Sequence, residues 1–253
     1  MSAEANAPAS PAAPLWGELR YSGELMRLLA DRQLRSSSGR PDAQPVLLVP
    51  GFMAGDGSLA LLRHWLRRRG HPVAMSGMRV NVDCAERSVR RLQKQLRAFA
   101  ADCGRSVVLI GQSRGGALAR ALAVREPDRV AGLVMLGSPV QDPLAVSAPV
   151  LRTVRWMARL GDLGLPGVFS TSCRDGACCV AFREDMSAPL AETMWAIAVH
   201  SRSDAIVDWR ACLDPHAEAV EVDSSHCGMS VHPAVYRSLV RMLDQSEEPA
   251  WSR

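Results

Sequence analysis

The chain has 253 residues, 47% of them hydrophobic and 22% charged, with a formal net charge of +4. This is enough apolar sequence for one large α/β domain with a substantial core. The small charge, spread over arginines on exposed helix faces, does not suggest a nucleic-acid partner, and no apolar run is long enough to span a bilayer.

Residues 1–14, rich in Ala and Pro, have neither a basic leading region nor an apolar core. They read as a flexible tail and not as a secretory signal, which gives a cytoplasmic location as the expectation. Residues 15–253 are expected to form a single domain. Leu25, Met26, Leu28 and Leu29 predict an amphipathic helix over 16–34, broken by Ser36-Ser37-Ser38-Gly39. The wholly apolar run 45–50 predicts a strand buried on both faces. A helix over 58–69 carries Leu59, Leu62, Trp65 and Leu66 and stops at Gly70, and 71–75 returns as a strand.

A long surface helix is predicted over 85–101, with Val89, Leu92, Leu96 and Phe99 on one stripe. Strand 107–110, helix 116–124 and strand 130–136 follow. Residues 138–193 are too long for a simple connection and are read as a helical cap over the site. Strands at 194–200 and 219–222 and a closing helix at 233–243 complete the chain. This alternation predicts a mainly parallel central sheet with helices on both faces, its chemistry gathered in loops at the carboxyl ends of the strands.

The seven cysteines, in a chain read as lacking an export signal, are expected to be buried reduced thiols. Cys173, Cys178 and Cys179 cluster in sequence, and Cys212 and Cys227 sit in two loops near the expected chemistry. A disulfide within the cluster, or between Cys212 and Cys227, is the alternative in an oxidising compartment. The spacing matches no zinc ligand set, because no second C-x-x-C or H-x-x-x-H pair accompanies the cluster. No metal site is therefore expected.

Gly111-Gln112-Ser113-Arg114-Gly115 lies between the apolar strand Val107-Val108-Leu109-Ile110 and a helix. Small residues around a serine at a strand-to-helix turn allow close backbone approach and drive the hydroxyl to the tip. An ordinary N-cap serine is the bland alternative. Downstream, an Asp and then a His follow in chain order.

On these residues the chain resembles the α/β-hydrolase family, of the serine esterase and lipase kind, from about Pro45 to the final helix. Gly111 to Gly115 is similar to the family's nucleophile elbow, and Val49-Pro50-Gly51-Phe52 to the loop after its third strand. Ser203-Asp204-Ala205-Ile206-Val207 resembles the acid loop and Ser224-Ser225-His226 the histidine loop. The absence of two convincing strands before Val46 resembles the shortened bacterial lipases. Two departures are Pro50 where many members carry His, and Gln112 where a histidine commonly precedes the nucleophile.

A serine hydroxyl is a poor nucleophile at neutral pH and needs an imidazole to remove its proton, for which His226 fits. His64, His71, His200, His216 and His232 are weaker candidates. A carboxylate must fix the imidazole tautomer; Asp204 is the first choice, with Asp208 and Asp223 as rivals. Backbone N–H groups of Phe52 and Arg114 are the expected oxyanion donors, and Phe52 and Met53 are expected to line the acyl pocket.

The expected activity is hydrolysis of a small-molecule carboxylic ester through an acyl-enzyme, with no cofactor and with the oligomeric state open. A thioesterase or acyltransferase using the same three residues is the second reading, with Arg114 and the basic helices attracting phosphates of a pantetheine carrier. A noncatalytic ligand-binding scaffold is the third.

Overall fold

The structure, a computed structural model, describes residues 14–31, 43–174, 176 and 178–245. The expected tail lies outside these residues except for Pro14, as do Ser36 to Gly39. Six strands form one sheet: β1 (Val46–Val49), β2 (Val73–Met75), β3 (Val107–Gln112), β4 (Val130–Leu136), β5 (Trp195–His200) and β6 (Glu218–Glu221). Their order is β2-β1-β3-β4-β5-β6, and every pairing is parallel.

The inner strands are largely apolar because alternate side chains enter cores on opposite faces, whereas the edge strand β6 carries Glu218 and Glu221. Leu47, Val49, Leu109, Leu133 and Met135 pack on one face. There they meet α3 (Ala85–Cys103) and α4 (Arg114–Arg125), whose inward residues include Val89, Leu92, Leu96, Leu118 and Leu122. Val46, Leu48, Val108, Ile110 and Val134 pack on the other face. Their partners include Leu28 of α1 (Tyr21–Ala30), Leu62 and Leu66 of α2 (Ala60–Arg68), and Tyr236 and Leu239 of α8 (Pro233–Gln245). Each such aliphatic side chain contributes about 1.5–3 kcal/mol by leaving water.

The first predicted helix differs from what forms. A 3-10 helix over Leu15–Arg20 leads into α1, and α1 ends at Ala30, where Asp31 turns extended and its carboxylate accepts from Arg237 at 2.6 Å. Between β4 and β5 the chain makes α5 (Ala148–Asp162), the single turn α6 (Thr171–Arg174) and α7 (Val180–Ser187). This insertion is fastened to α4 through Arg120, which is 1% exposed. Arg120 donates to the buried Asp214 carboxylate, to the Asp185 carbonyl and, at 2.9 Å, to the Ala188 carbonyl. Among the described residues, no helix is long and apolar enough to cross a membrane.

Candidate active site

Chain order reverses between β1 and β3, so the loops leaving these two neighbouring strands lie side by side at their carboxyl ends. One carries Gly51 to Ala54 and the other carries Ser113. Ser113 stands between β3 and α4 at φ +52° and ψ −126°, a conformation that costs a non-glycine residue about 1–3 kcal/mol. Its N–H donates to the Leu136 carbonyl at 2.7 Å, which pins the turn to β4. The glycines around it are required by space. A Cβ at Gly115 would stand 2.3 Å from the Val49 carbonyl oxygen, and one at Gly116 would stand 1.9 Å from Ser138 Oγ.

His226 follows β6 in the loop before α8 and is 5% exposed. Its Nδ1 lies 2.7 Å from Asp204 Oδ2, while Asp204 Oδ1 accepts the N–H groups of Ile206 and Val207 at 2.8 Å each. Burial works against the imidazolium, but the Asp204 charge and hydrogen bond outweigh it, with Glu18 adding, so the His226 pKa is raised above the usual 6.5. The other two aspartates are engaged elsewhere. Asp208 caps a 3-10 turn by accepting the Arg210 N–H at 2.9 Å, and Asp223 pairs with Arg20 at 2.9 Å and accepts from Ser203 Oγ at 2.8 Å. Among the other histidines, His71 bonds the Gln44 carbonyl and His200 stacks on Trp209.

Ser113 and His226 line one cavity of about 540 Å³ together with Phe52, Met53 and Arg114. Phe169, Leu144, Val150 and Val154, from the β4–β5 insertion, make its wall largely apolar. Among the described residues, no protein acceptor takes the backbone N–H of Phe52 or of Arg114, and no protein group hydrogen-bonds Ser113 Oγ. The buried Asn81 holds the loop after β1: its Nδ2 donates to the Pro50 carbonyl at 2.8 Å, and its backbone carbonyl accepts the Met53 N–H at 3.2 Å. The Arg114 guanidinium turns inward, donating to Asn81 and to the Asp83 carbonyl beneath the Phe169 ring.

Three residues that support the histidine loop were not expected. Glu24 of α1, 1% exposed, accepts the Ser225 N–H at 2.8 Å and the Ser225 hydroxyl at 2.7 Å. Glu18 accepts the N–H groups of His226 and Cys227 at 2.9 and 3.0 Å. Gln112 Nε2 donates to the carbonyls of His226 and Cys227 at 3.3 and 3.4 Å, tying the serine turn to the same loop. Gln112 was visible as a departure from the family pattern. Nothing local marks the two glutamates, whose partners lie about two hundred residues away.

All seven cysteines are thiols. The expected sequence cluster of three is joined in space by a fourth, Cys84, at the start of α3.

The sequence model of a family described as "alpha/beta hydrolase fold" matches residues 89–163. No curated protein matches the chain by sequence. Among solved structures, the lipase BlEst2 of Bacillus licheniformis in its mature form is similar at a TM-score of 0.60 and 16% identity, over 82% of this chain and 95% of that one. A soluble variant of the monoglyceride lipase of Saccharomyces cerevisiae, in complex with a substrate analogue, is similar at a TM-score of 0.61 and 14% identity, over 85% and 90%. The monoacylglycerol lipase of Paleococcus ferrophilus gives a TM-score of 0.54 and 16% identity, over 81% and 97%.

Proposed function

Taking as premise that the chain has the α/β-hydrolase fold, we propose that it is a serine hydrolase of carboxylic esters, with Ser113 as nucleophile, His226 as general base and Asp204 as the carboxylate that orients the imidazole. The observation that carries this reading is the 2.7 Å Asp204–His226 contact in a cavity that Ser113 also lines from a left-handed turn. With Nδ1 donating to Asp204, the lone pair of the neutral ring resides on Nε2, the nitrogen that would take the serine proton. Ser113 Oγ then adds to the ester carbonyl. The imidazolium returns the proton to the departing alcohol, and water, activated by the same ring, releases the acid.

Charge developing on the carbonyl oxygen would meet the backbone N–H groups of Phe52 and Arg114. The second opens α4, where helix geometry leaves donors unpaired. Phe52, Met53 and the insertion residues supply an apolar surface for the acyl group, which is the sense in which we read the insertion as a cap. The lipase neighbours support an apolar acyl substrate by likeness of fold.

The test is Ser113→Ala assayed on a short p-nitrophenyl ester, with a fluorophosphonate probe and peptide mapping on the parent protein. Turnover is expected to vanish in the folded variant, and the probe to label the peptide bearing Ser113. Undiminished ester hydrolysis by Ser113→Ala would remove the serine from the chemistry.

A further inference from the structure

Four thiols from two separate parts of the chain converge beside the cavity. Cys84 is the residue before α3; Cys173 lies in α6; Cys178 and Cys179 lead into α7. Their sulfurs all lie within 4.8 Å of one another. The contacts are 3.5 Å for Cys84–Cys179, 3.9 Å for Cys84–Cys178, 3.6 Å for Cys178–Cys179 and 2.9 Å for Cys173–Cys178. Four thiolates around a tetrahedral zinc, with Zn–S bonds of about 2.3 Å, stand about 3.8 Å apart along each edge. Three of the four contacts fall within a few tenths of an ångström of that edge. The fourth is shorter than the edge yet well beyond the S–S bond of about 2.04 Å.

A second, independent observation concerns charge. The Arg114 guanidinium is enclosed next to this cluster, and its hydrogen bonds go to two carbonyls and the Asn81 side chain. Among the described residues it has no ion pair with a carboxylate, because Asp83 directs its carboxylate to Arg87 and Arg91. Burial lowers the Arg114 pKa to about 10. An inward-turned cation of this kind is matched best by negative charge on the groups that enclose it, and the four sulfurs are its neighbours.

We propose that Cys84, Cys173, Cys178 and Cys179 form a structural zinc site that rivets the β4–β5 insertion to the start of α3. Binding one Zn²⁺ to four thiols releases four protons and leaves a tetrathiolate of net charge −2, a counter-ion for Arg114. No electron is transferred. With all four positions taken by sulfur the site is closed, so the metal carries no water and takes no part in ester chemistry. Tetrahedral sulfur ligation also suits a single iron, but zinc is the occupant to which we commit.

The consequence reaches the cavity, since Cys173 and Cys179 belong to its wall and Arg114 follows Ser113. Spacing rules that seek paired motifs do not register such a set, because one member lies about ninety positions upstream of the others.

The test uses the full chain expressed in zinc-replete medium and purified without chelator. Elemental analysis is expected to find about one zinc per chain. Cys84→Ser and Cys179→Ser should each lose most of it, whereas Cys103→Ser, at the far end of α3, should keep it. If the cluster variants do not fold, cobalt substitution of the parent protein provides a second readout: intense visible bands with thiolate-to-cobalt charge transfer in the near ultraviolet. Zinc retained in full by Cys84→Ser would overturn the proposal. So would metal-free protein whose unreduced mass is lighter by two hydrogens for each of one or two disulfides.

Discussion

Replacing Asp204 by Asn changes few atoms and exposes the logic of the site. Oδ1 of Asp204 already accepts two backbone N–H groups, from Ile206 and Val207, at 2.8 Å each. An amide nitrogen cannot take that place without two donor–donor clashes, so the Asn oxygen must occupy it and the NH₂ must face His226 at the former Oδ2 position. That NH₂ donates to Nδ1, which forces the ring proton onto Nε2 and removes the lone pair needed to accept the serine proton. An inverted tautomer of this kind lowers kcat by about 10⁴-fold in the trypsin-type triad, a barrier increase of about 5 kcal/mol. Because the residue is 2% exposed and nearly isosteric, the fold should persist. The assay is kcat on a p-nitrophenyl ester at a pH where the parent is fully active, with near-ultraviolet circular dichroism as the folding control. Asp204→Asn activity within tenfold of the parent, or a larger loss in Asp208→Asn, would refute the assignment.

Since Asp204 holds the His226 pKa above 6.5 and the neutral ring is the proposed base, kcat/KM is expected to rise with pH along a limb whose midpoint lies above 6.5. A midpoint below that value in the parent protein would contradict the pair. The same raised value means that the imidazolium–Asp204 interaction stabilises the fold fully below 6.5 and fades as pH climbs through the folded-state pKa, which urea midpoints along a pH series would reveal. Gly115→Ala, pushing a methyl against the Val49 and Pro50 carbonyl oxygens at 2.3 and 2.4 Å, should lower stability by about 3 kcal/mol in urea denaturation and reduce ester turnover. Glu24→Ala leaves the Ser225 N–H and hydroxyl unpaired in a buried place. It should cost about 3 kcal/mol of stability and at least a tenfold drop in kcat, with Glu24→Gln restoring part of both. If Glu24→Ala matches the parent in both readouts, the histidine loop stands without it.

The inner strands were legible because burial on both faces leaves no room for polar residues: Val46 to Val49 and Val107 to Ile110 could hardly sit anywhere except mid-sheet. The serine turn was legible because its glycines answer to backbone atoms a few ångströms away, a local demand that a pentapeptide can advertise. Asp204 could be ranked above Asp208 and Asp223 only by its loop, and the 2.7 Å contact that separates them spans 22 positions. Contacts between distant segments were invisible for the same reason. Glu18 and Glu24 sit in the 3-10 helix and in α1, a segment whose apolar pattern was readable while the destination of its acids was not, and nothing in the sequence placed Cys84 with the later cysteines. The first helix was predicted as one continuous run because periodicity does not register the 3-10 geometry of Leu15–Arg20 or the extended backbone at Asp31.

The grip of the 3-10 helix and α1 on the histidine loop imposes an order on biosynthesis. Glu18 and Glu24 leave the ribosome early, yet the amides they hold belong to residues made more than two hundred positions later. During translation the 3-10 helix and α1 have an apolar flank and two acids with nowhere to dock, so a nascent chain can complete most of the parallel sheet while His226 is still unmade. Docking of the opening segment is then among the last acts of maturation, and a fragment truncated after β5 is left with a helix that has lost its receptor.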